Sequence, residues 1–209
     1  MGAVTMTAIV VVRQVLVLRE NQQLLTTDYL TGLSTRSALA GALARSLARS
    51  QRSGGSTAVL VIDLDGFKAV NDEFGHDAGD ELLTGFAELL RAAVSRSDTV
   101  GRMGGDEFAV VLSDIARPDD AVAVALRLLD AMRRPLTVAG RPMQSRASIG
   151  IGLSRPGDTG RLIMHRADQA MYHAKRTCSG WSLEGGTQSP LPPREARADG
   201  RTDSAIPTP

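Results

Sequence analysis

Thr99-Val100-Gly101-Arg102-Met103-Gly104-Gly105-Asp106-Glu107-Phe108-Ala109-Val110-Val111-Leu112 decides how the fold is read. Two apolar runs, Thr99 to Met103 and Glu107 to Leu112, flank a pair of glycines. Glycine reaches positive φ without a steric cost, so a Gly-Gly pair between extended segments specifies a tight hairpin. Two acids, Asp106 and Glu107, stand at its tip. Gly104 and Gly105 carry no side chains, so a ligand can approach the backbone closely. Neighbouring residues on an ideal strand face opposite ways. Asp106 and Glu107 can therefore serve one site only if the turn breaks the alternation. The string by itself leaves two readings open, a solvated hairpin with exposed acids and a site for metal or phosphate.

Upstream of the hairpin, Ala58-Val59-Leu60-Val61-Ile62 is a continuous apolar run, the pattern of a strand buried on both faces. It ends in Asp63-Leu64-Asp65-Gly66. Carboxylates two apart at a strand end project to one side, and with the Leu64 carbonyl they make a hard oxygen site suited to magnesium. The alternative is that Asp63 and Asp65 cap the helix that follows. Helical stretches are expected at Ser34–Arg52, Phe67–Phe74, Asp77–Arg96, Pro118–Arg133 and Gly160–Arg176. Leu82, Leu83, Phe86, Leu89 and Leu90 form one apolar stripe on the third of these. Leu136–Ala139 and Gln144–Leu153 read as two more strands. Hairpin strands with covering helices predict an α+β fold with a central, mainly antiparallel five-stranded sheet.

The 209 residues, 43% hydrophobic, have room for one full-sized core. Formal net charge is +1 with scattered basic residues, which argues against nucleic acid as a partner. A single cysteine, Cys178, excludes an internal disulfide and a Cys-rich zinc site. Residues 1–27 allow two readings. Ala3 to Leu18 is apolar but falls short of the roughly 20 residues that span a bilayer, as the end of a membrane anchor would. Val11, Val15, Leu18, Gln22 and Leu25 alternate four and three apart, as in a dimerising coiled-coil seam. From Ser182 onward large apolar residues nearly vanish, so 183–209 is expected to be a disordered tail behind a domain spanning 28–182.

Arg102-Met103-Gly104-Gly105-Asp106-Glu107-Phe108 resembles the signature of the GGDEF domain family, the diguanylate cyclases. Four further stretches match that family in order and spacing: Asp28-Tyr29-Leu30-Thr31-Gly32-Leu33, Asp63 through Leu83, Ser148-Ile149-Gly150-Ile151, and Ala167-Asp168-Gln169-Ala170-Met171-Tyr172-His173-Ala174-Lys175. The resemblance covers Asp28 to Trp181 and implies a fold like that of nucleotide cyclases and polymerase palms. It implies that Asp63, Asp106 and Glu107, with the Leu64 carbonyl, hold two Mg2+ or Mn2+ ions against the phosphates of GTP. It also implies that Asn71 and Asp80 read guanine, that Lys68 and Lys175 contact phosphate, and that Gly104, Gly105, Asp72 and His76 lie near the nucleotide. A carboxylate suits the N1–H and exocyclic amine of guanine, and an amide suits the remaining mixed edge. Other readings stand beside three of these residues. Asp77-Ala78-Gly79-Asp80 also reads as a helix cap, Lys175 as a cation completing a last helical turn, and His76 as a loop histidine. Phe67, Phe74 and Phe86 read as core.

In the family each domain binds one GTP and two domains face each other, which implies a homodimer acting in the cytoplasm or at the inner face of the membrane. Three positions depart from the family pattern. Ser95 stands where product-inhibited members carry the arginine of Arg-x-x-Asp, although Asp98 is present. Ser179 replaces a phosphate-contacting arginine, and Thr35 an asparagine. Two competing readings follow: a domain that binds GTP or cyclic di-GMP without turnover, and a palm acting on another nucleotide.

Overall fold

The computed structural model describes residues 26–185 and, ahead of them, Arg13. Both readings of the N-terminal segment fall almost wholly outside the described residues. The elements in chain order are α1 (Arg36–Ser53), β1 (Ser56–Leu64), α2 (Phe67–Phe74), α3 (His76–Ala93), β2 (Thr99–Gly104), β3 (Glu107–Ile115), α4 (Pro118–Ala131), β4 (Leu136–Val138), β5 (Arg141–Met143), β6 (Ala147–Leu153), α5 (Gly160–Thr177) and β7 (Trp181–Leu183). No described helix is long and apolar enough to cross a membrane.

The main sheet has five strands in the order β2-β3-β1-β6-β7, with every pairing antiparallel except β6 with β7. β1 lies at its centre, and the two faces of that strand separate by residue parity. Ala58, Leu60, Ile62 and Leu64 enter the core shared with α3 and α4, while Val59 and Val61 enter a second core with residues of α1 and α5. The run has no alternation because both faces are covered. Parity then puts Asp63 on the face of Val59 and Val61, toward α1 and α5.

β6 explains how α5 reaches that face. Ile149 and Ile151 point into the first core, which leaves Gly150 and Gly152 facing α5. A Cβ built on Gly150 would lie 2.0 Å from the Ala167 carbonyl oxygen and 2.1 Å from the Met171 nitrogen. The helix backbone rests directly on the strand backbone, and Ala167, Ala170 and Ala174 keep it there with small side chains.

The fold class agrees with the sequence, but one strand changes place. Leu136–Val138 does not join the main sheet; it pairs with β5 in a separate two-stranded ribbon. The ribbon turns at Ala139 and Gly140, with φ of +48° and +72°. Positive φ at both positions is the type I′ loop, which an Ala-Gly pair signals far more weakly than Asn-Gly. The fifth strand of the sheet is β7, which includes Ser182 and Leu183, and Glu184 accepts a hydrogen bond from Leu153 N–H at 3.3 Å. The expected start of the tail therefore lies too early. Three residues are too few to carry a strand pattern, and β7 is held by its parallel pairing to β6. Residues 186–209 lie outside the described residues.

Candidate active site

Asp63, at the end of β1, is only 9% exposed, and its Oδ1 accepts an ion-paired hydrogen bond from Lys175 Nζ at 2.6 Å. Lys175 sits in the last turn of α5. Its pKa is raised, first by the hydrogen bond to Asp63, against the opposing effect of burial, and then by the charges of Asp63, Asp65 and Asp106. Asp63 contacts this ammonium, and the charges of Asp65 and Asp106 act on it from farther away. Across the β1–β3 ladder Asp63 is in register with Glu107, and parity puts the Glu107 side chain on the same face. Glu107 is exposed. Gly104 pairs with Glu107, so the hairpin loop is Gly105-Asp106, with φ of +142° at Gly104 and +54° at Gly105. Asp106 belongs to the loop and escapes the strand alternation. The loop is tied to β1, because Leu64 N–H donates to the Asp106 carbonyl at 3.2 Å.

Asp65 lies just past β1 and accepts a hydrogen bond from the Ser148 hydroxyl at 3.1 Å. Burial pushes its pKa up, the Ser148 hydrogen bond opposes this, and the charge of Asp63 adds to the rise. The capping reading of Asp63 and Asp65 fails. The N-cap of α2 is Gly66, with φ +81° and no side-chain cap bond. Both carboxylates instead face Lys175 and Ser148. Among the described residues no three or more His, Cys, Asp or Glu side chains are grouped so that they could hold a metal ion by themselves. The donors present, Asp63, Asp106, Glu107 and a backbone carbonyl, are all oxygen and lie at one sheet end, an open set of the kind magnesium completes with water and phosphate oxygens.

Beside this end of the sheet stands the α2–α3 hairpin, joined at Gly75 with φ +85°. Asn71 is in the second half of α2, half-buried, and Asp80 is exposed on α3. Neither side chain hydrogen-bonds to another described residue. The cap reading of Asp80 also fails, since α3 begins at His76 and its N-cap is Gly75. Lys68 and Asp72 are exposed on α2, and His76 is the exposed first residue of α3. Phe86 is fully buried and meets Phe108 edge-on at 5.1 Å, while Phe67 and Phe74 pack partly buried against the same core.

A connection that the sequence reading did not draw runs from the start of the domain to the hairpin. Arg102 Nε donates to the Gly105 carbonyl at 2.9 Å, and its Nη1 pairs with Asp28 at 3.4 Å. Asp28 also accepts from the N–H and hydroxyl of Thr31, at 2.9 and 2.7 Å. Both residues lie in quoted stretches, but their pairing spans 74 positions and only the fold brings it about.

The family model for the diguanylate cyclase GGDEF domain matches residues 25–180. The chain belongs to the GGDEF domain family. Among curated relatives, the bifunctional diguanylate cyclase/cyclic di-GMP phosphodiesterase MucR of Pseudomonas aeruginosa is 45% identical over 159 residues, covering 75% of this chain and 23% of MucR. The response regulator PleD of Caulobacter vibrioides is 41% identical over 162 residues, 73% of this chain and 34% of PleD. The chain thus spans about a quarter to a third of these relatives. The crystal structure of the GGDEF domain of YfiN, or TpbB, from Pseudomonas aeruginosa superposes with a TM-score of 0.71 at 37% identity, covering 75% of this chain and 99% of that one.

Asp98, Ser179 and Thr35 each have a local structural role. Asp98 is consumed structurally: one carboxylate oxygen accepts from Ser95 N–H at 3.0 Å and the other from Ser113 N–H at 3.3 Å. Ser179 closes the turn after α5, donating to the Trp181 carbonyl at 3.0 Å. Thr35 is the N-cap of α1, accepting from Ala38 N–H at 3.4 Å.

Proposed function

We propose that this chain is a diguanylate cyclase that condenses two GTP molecules into cyclic di-GMP. The observation that carries the reading is the convergence of Asp63, Glu107, Asp106 and Lys175 at one sheet end, beside a helical hairpin whose Asn71 and Asp80 side chains make no hydrogen bond to another described residue. Asp63, Asp106, Glu107 and the Leu64 carbonyl would hold the Mg2+ or Mn2+ ions. Those ions, when bound, neutralise charge on the phosphoryl oxygens and set the geometry of displacement.

The protein's own part is binding and orientation. Asn71 and Asp80 receive the guanine edge, with His76 and Asp72 near it. Lys68, in the first turn of α2, and Lys175, beside Asp63, receive phosphate charge. Gly104 and Gly105 let the nucleotide approach the turn. In the reaction the 3′ hydroxyl of one GTP attacks the α-phosphorus of the other, the bond to pyrophosphate breaks, and the hydroxyl proton is lost to solvent or base. A second, reciprocal displacement closes the ring and releases the second pyrophosphate. One domain binds one GTP, so two copies must face each other, and residues 1–27 are the segment suited to pairing them or holding them at the inner membrane face.

The test is incubation of the purified chain with GTP and Mg2+, with product identified by chromatography and mass. Cyclic di-GMP should form, and Glu107→Ala should abolish it without lowering Tm, because Glu107 is exposed. GTP binding without product, at concentrations where the chain is dimeric, would refute the cyclase reading in favour of a nucleotide-binding regulator.

A further inference from the structure

Gly79 is buried in the first half of α3, inside the helix His76–Ala93. Glycine is the poorest helix-interior residue after proline, because it orders the most backbone freedom for no side-chain contact. No unusual backbone conformation calls for it, since the positive-φ glycines do not include Gly79. The reason lies across the hairpin. A Cβ at Gly79 would sit 1.9 Å from Asn71 Oδ1, 3.0 Å from Asn71 Cγ and 3.2 Å from Phe67 Cε2. Only side-chain atoms crowd that point, and the overlap with the Asn71 amide is far the worst. The carboxamide lies in the space that a side chain on α3 would fill.

We infer that Gly79 is a positioning residue for nucleotide selectivity: its missing side chain is the seat of the Asn71 carboxamide, and the seat sets where that amide meets the base. The inference rests on the reading that Asn71 receives guanine. The amide has no hydrogen bond to another described residue, so packing alone fixes its direction. Asp80, the next residue, shares the same rigid turn of α3. Its carboxylate is exposed and makes no hydrogen bond to another described residue. An alanine at position 79 clashes with a flexible side chain and with no backbone atom. The helix is kept and the amide rotates away. Fold and recognition are thereby separable at a single position.

The experiment uses the full chain with Mg2+ and a GTP analogue carrying a methylene group between the α and β phosphates, with the matching ATP analogue as comparison. Affinities are measured by calorimetry for the wild type, Gly79→Ala, Asn71→Ala and the double variant. Gly79→Ala should bind the GTP analogue roughly tenfold more weakly, the loss of about one hydrogen-bonded base contact. Its affinity for the ATP analogue should not change, and its Tm should be no lower than that of the wild type. Asn71→Ala should show the same loss, and the double variant should lose nothing further, because the two changes act through one contact. Wild-type affinity in Gly79→Ala alongside a loss in Asn71→Ala would overturn the positioning role and leave the guanine reading standing. Wild-type affinity in both would overturn the guanine reading, and the inference with it. A marked fall in Tm for Gly79→Ala, or fully additive losses, would make Gly79 a structural residue only.

Discussion

Gly150→Ala tests the claim that α5 touches β6 backbone to backbone. The added methyl carbon would meet the Ala167 oxygen at 2.0 Å, the Met171 nitrogen at 2.1 Å and the Met171 Cα at 2.7 Å, and Cβ contacts below 3.0 Å essentially do not occur. None of these atoms can rotate away, so the helix must retreat by about 1 Å at this point, which sacrifices close packing along the contact. Overpacking a core costs typically 1–3 kcal/mol, and a clash with helix backbone belongs at or above the upper end, about 3 kcal/mol. In a domain of this size each kcal/mol moves Tm by roughly 2–4 °C, so a fall of about 6–12 °C is expected. The paired control is Gly85→Ala on α3, whose Cβ would stand 3.5 Å from the Leu136 methyl carbons, an ordinary contact. It removes a glycine from a helix interior and should raise stability by roughly 0.5–1 kcal/mol. Circular dichroism melting reads both variants. A Gly150→Ala protein melting within about 2 °C of the wild type, less than 1 kcal/mol on the same scale, would refute the backbone contact and the account of how Lys175 is brought to Asp63.

Lys175→Met removes the cation paired with Asp63. The Lys175 side chain is 47% exposed, so the stability change should stay within about 1 kcal/mol, while the turnover rate should fall on the order of a hundredfold. Burial pushes the Asp28 pKa up, but the hydrogen bonds from Thr31 and the charge of Arg102 outweigh it, and the folded value lies below the ordinary 3.8. The stability Asp28 contributes is therefore complete above pH 3.8 and lost as pH falls through the folded value, so Asp28→Asn should flatten the Tm–pH curve in that acid range. Because Asp98 is engaged by Ser95 and Ser113 N–H groups and no arginine stands at position 95, added cyclic di-GMP should leave the initial rate of product formation unchanged. A rate that falls at micromolar product would count against that account of Asp98.

Element types and the hairpin were legible because they are local. The Ala58–Ile62 run, the leucine stripes and the glycine pair depend on periodicity and on backbone freedom within a few residues. What escaped was held together by distant partners. β7 exists because β6 offers it an edge, and the β4–β5 ribbon turns at Ala139 and Gly140 without a strong turn signal. Asp63 and Asp65 resembled helix caps until their partners, Lys175 and Ser148, stood more than 80 positions away along the chain.

By itself the sequence determined an α+β domain and the acid-bearing hairpin at Gly104 to Phe108. Those follow from the chemistry of each side chain and from short-range backbone preference. Only the tertiary structure decided which acids share a face, that Asp106 escapes the strand alternation while Glu107 does not, and that Lys175 pairs with Asp63. It also decided that Asn71 rests over Gly79. Each of these is a pairing across the sheet or across a helical hairpin, set by register and packing, and no local pattern encodes a register between segments a hundred residues apart.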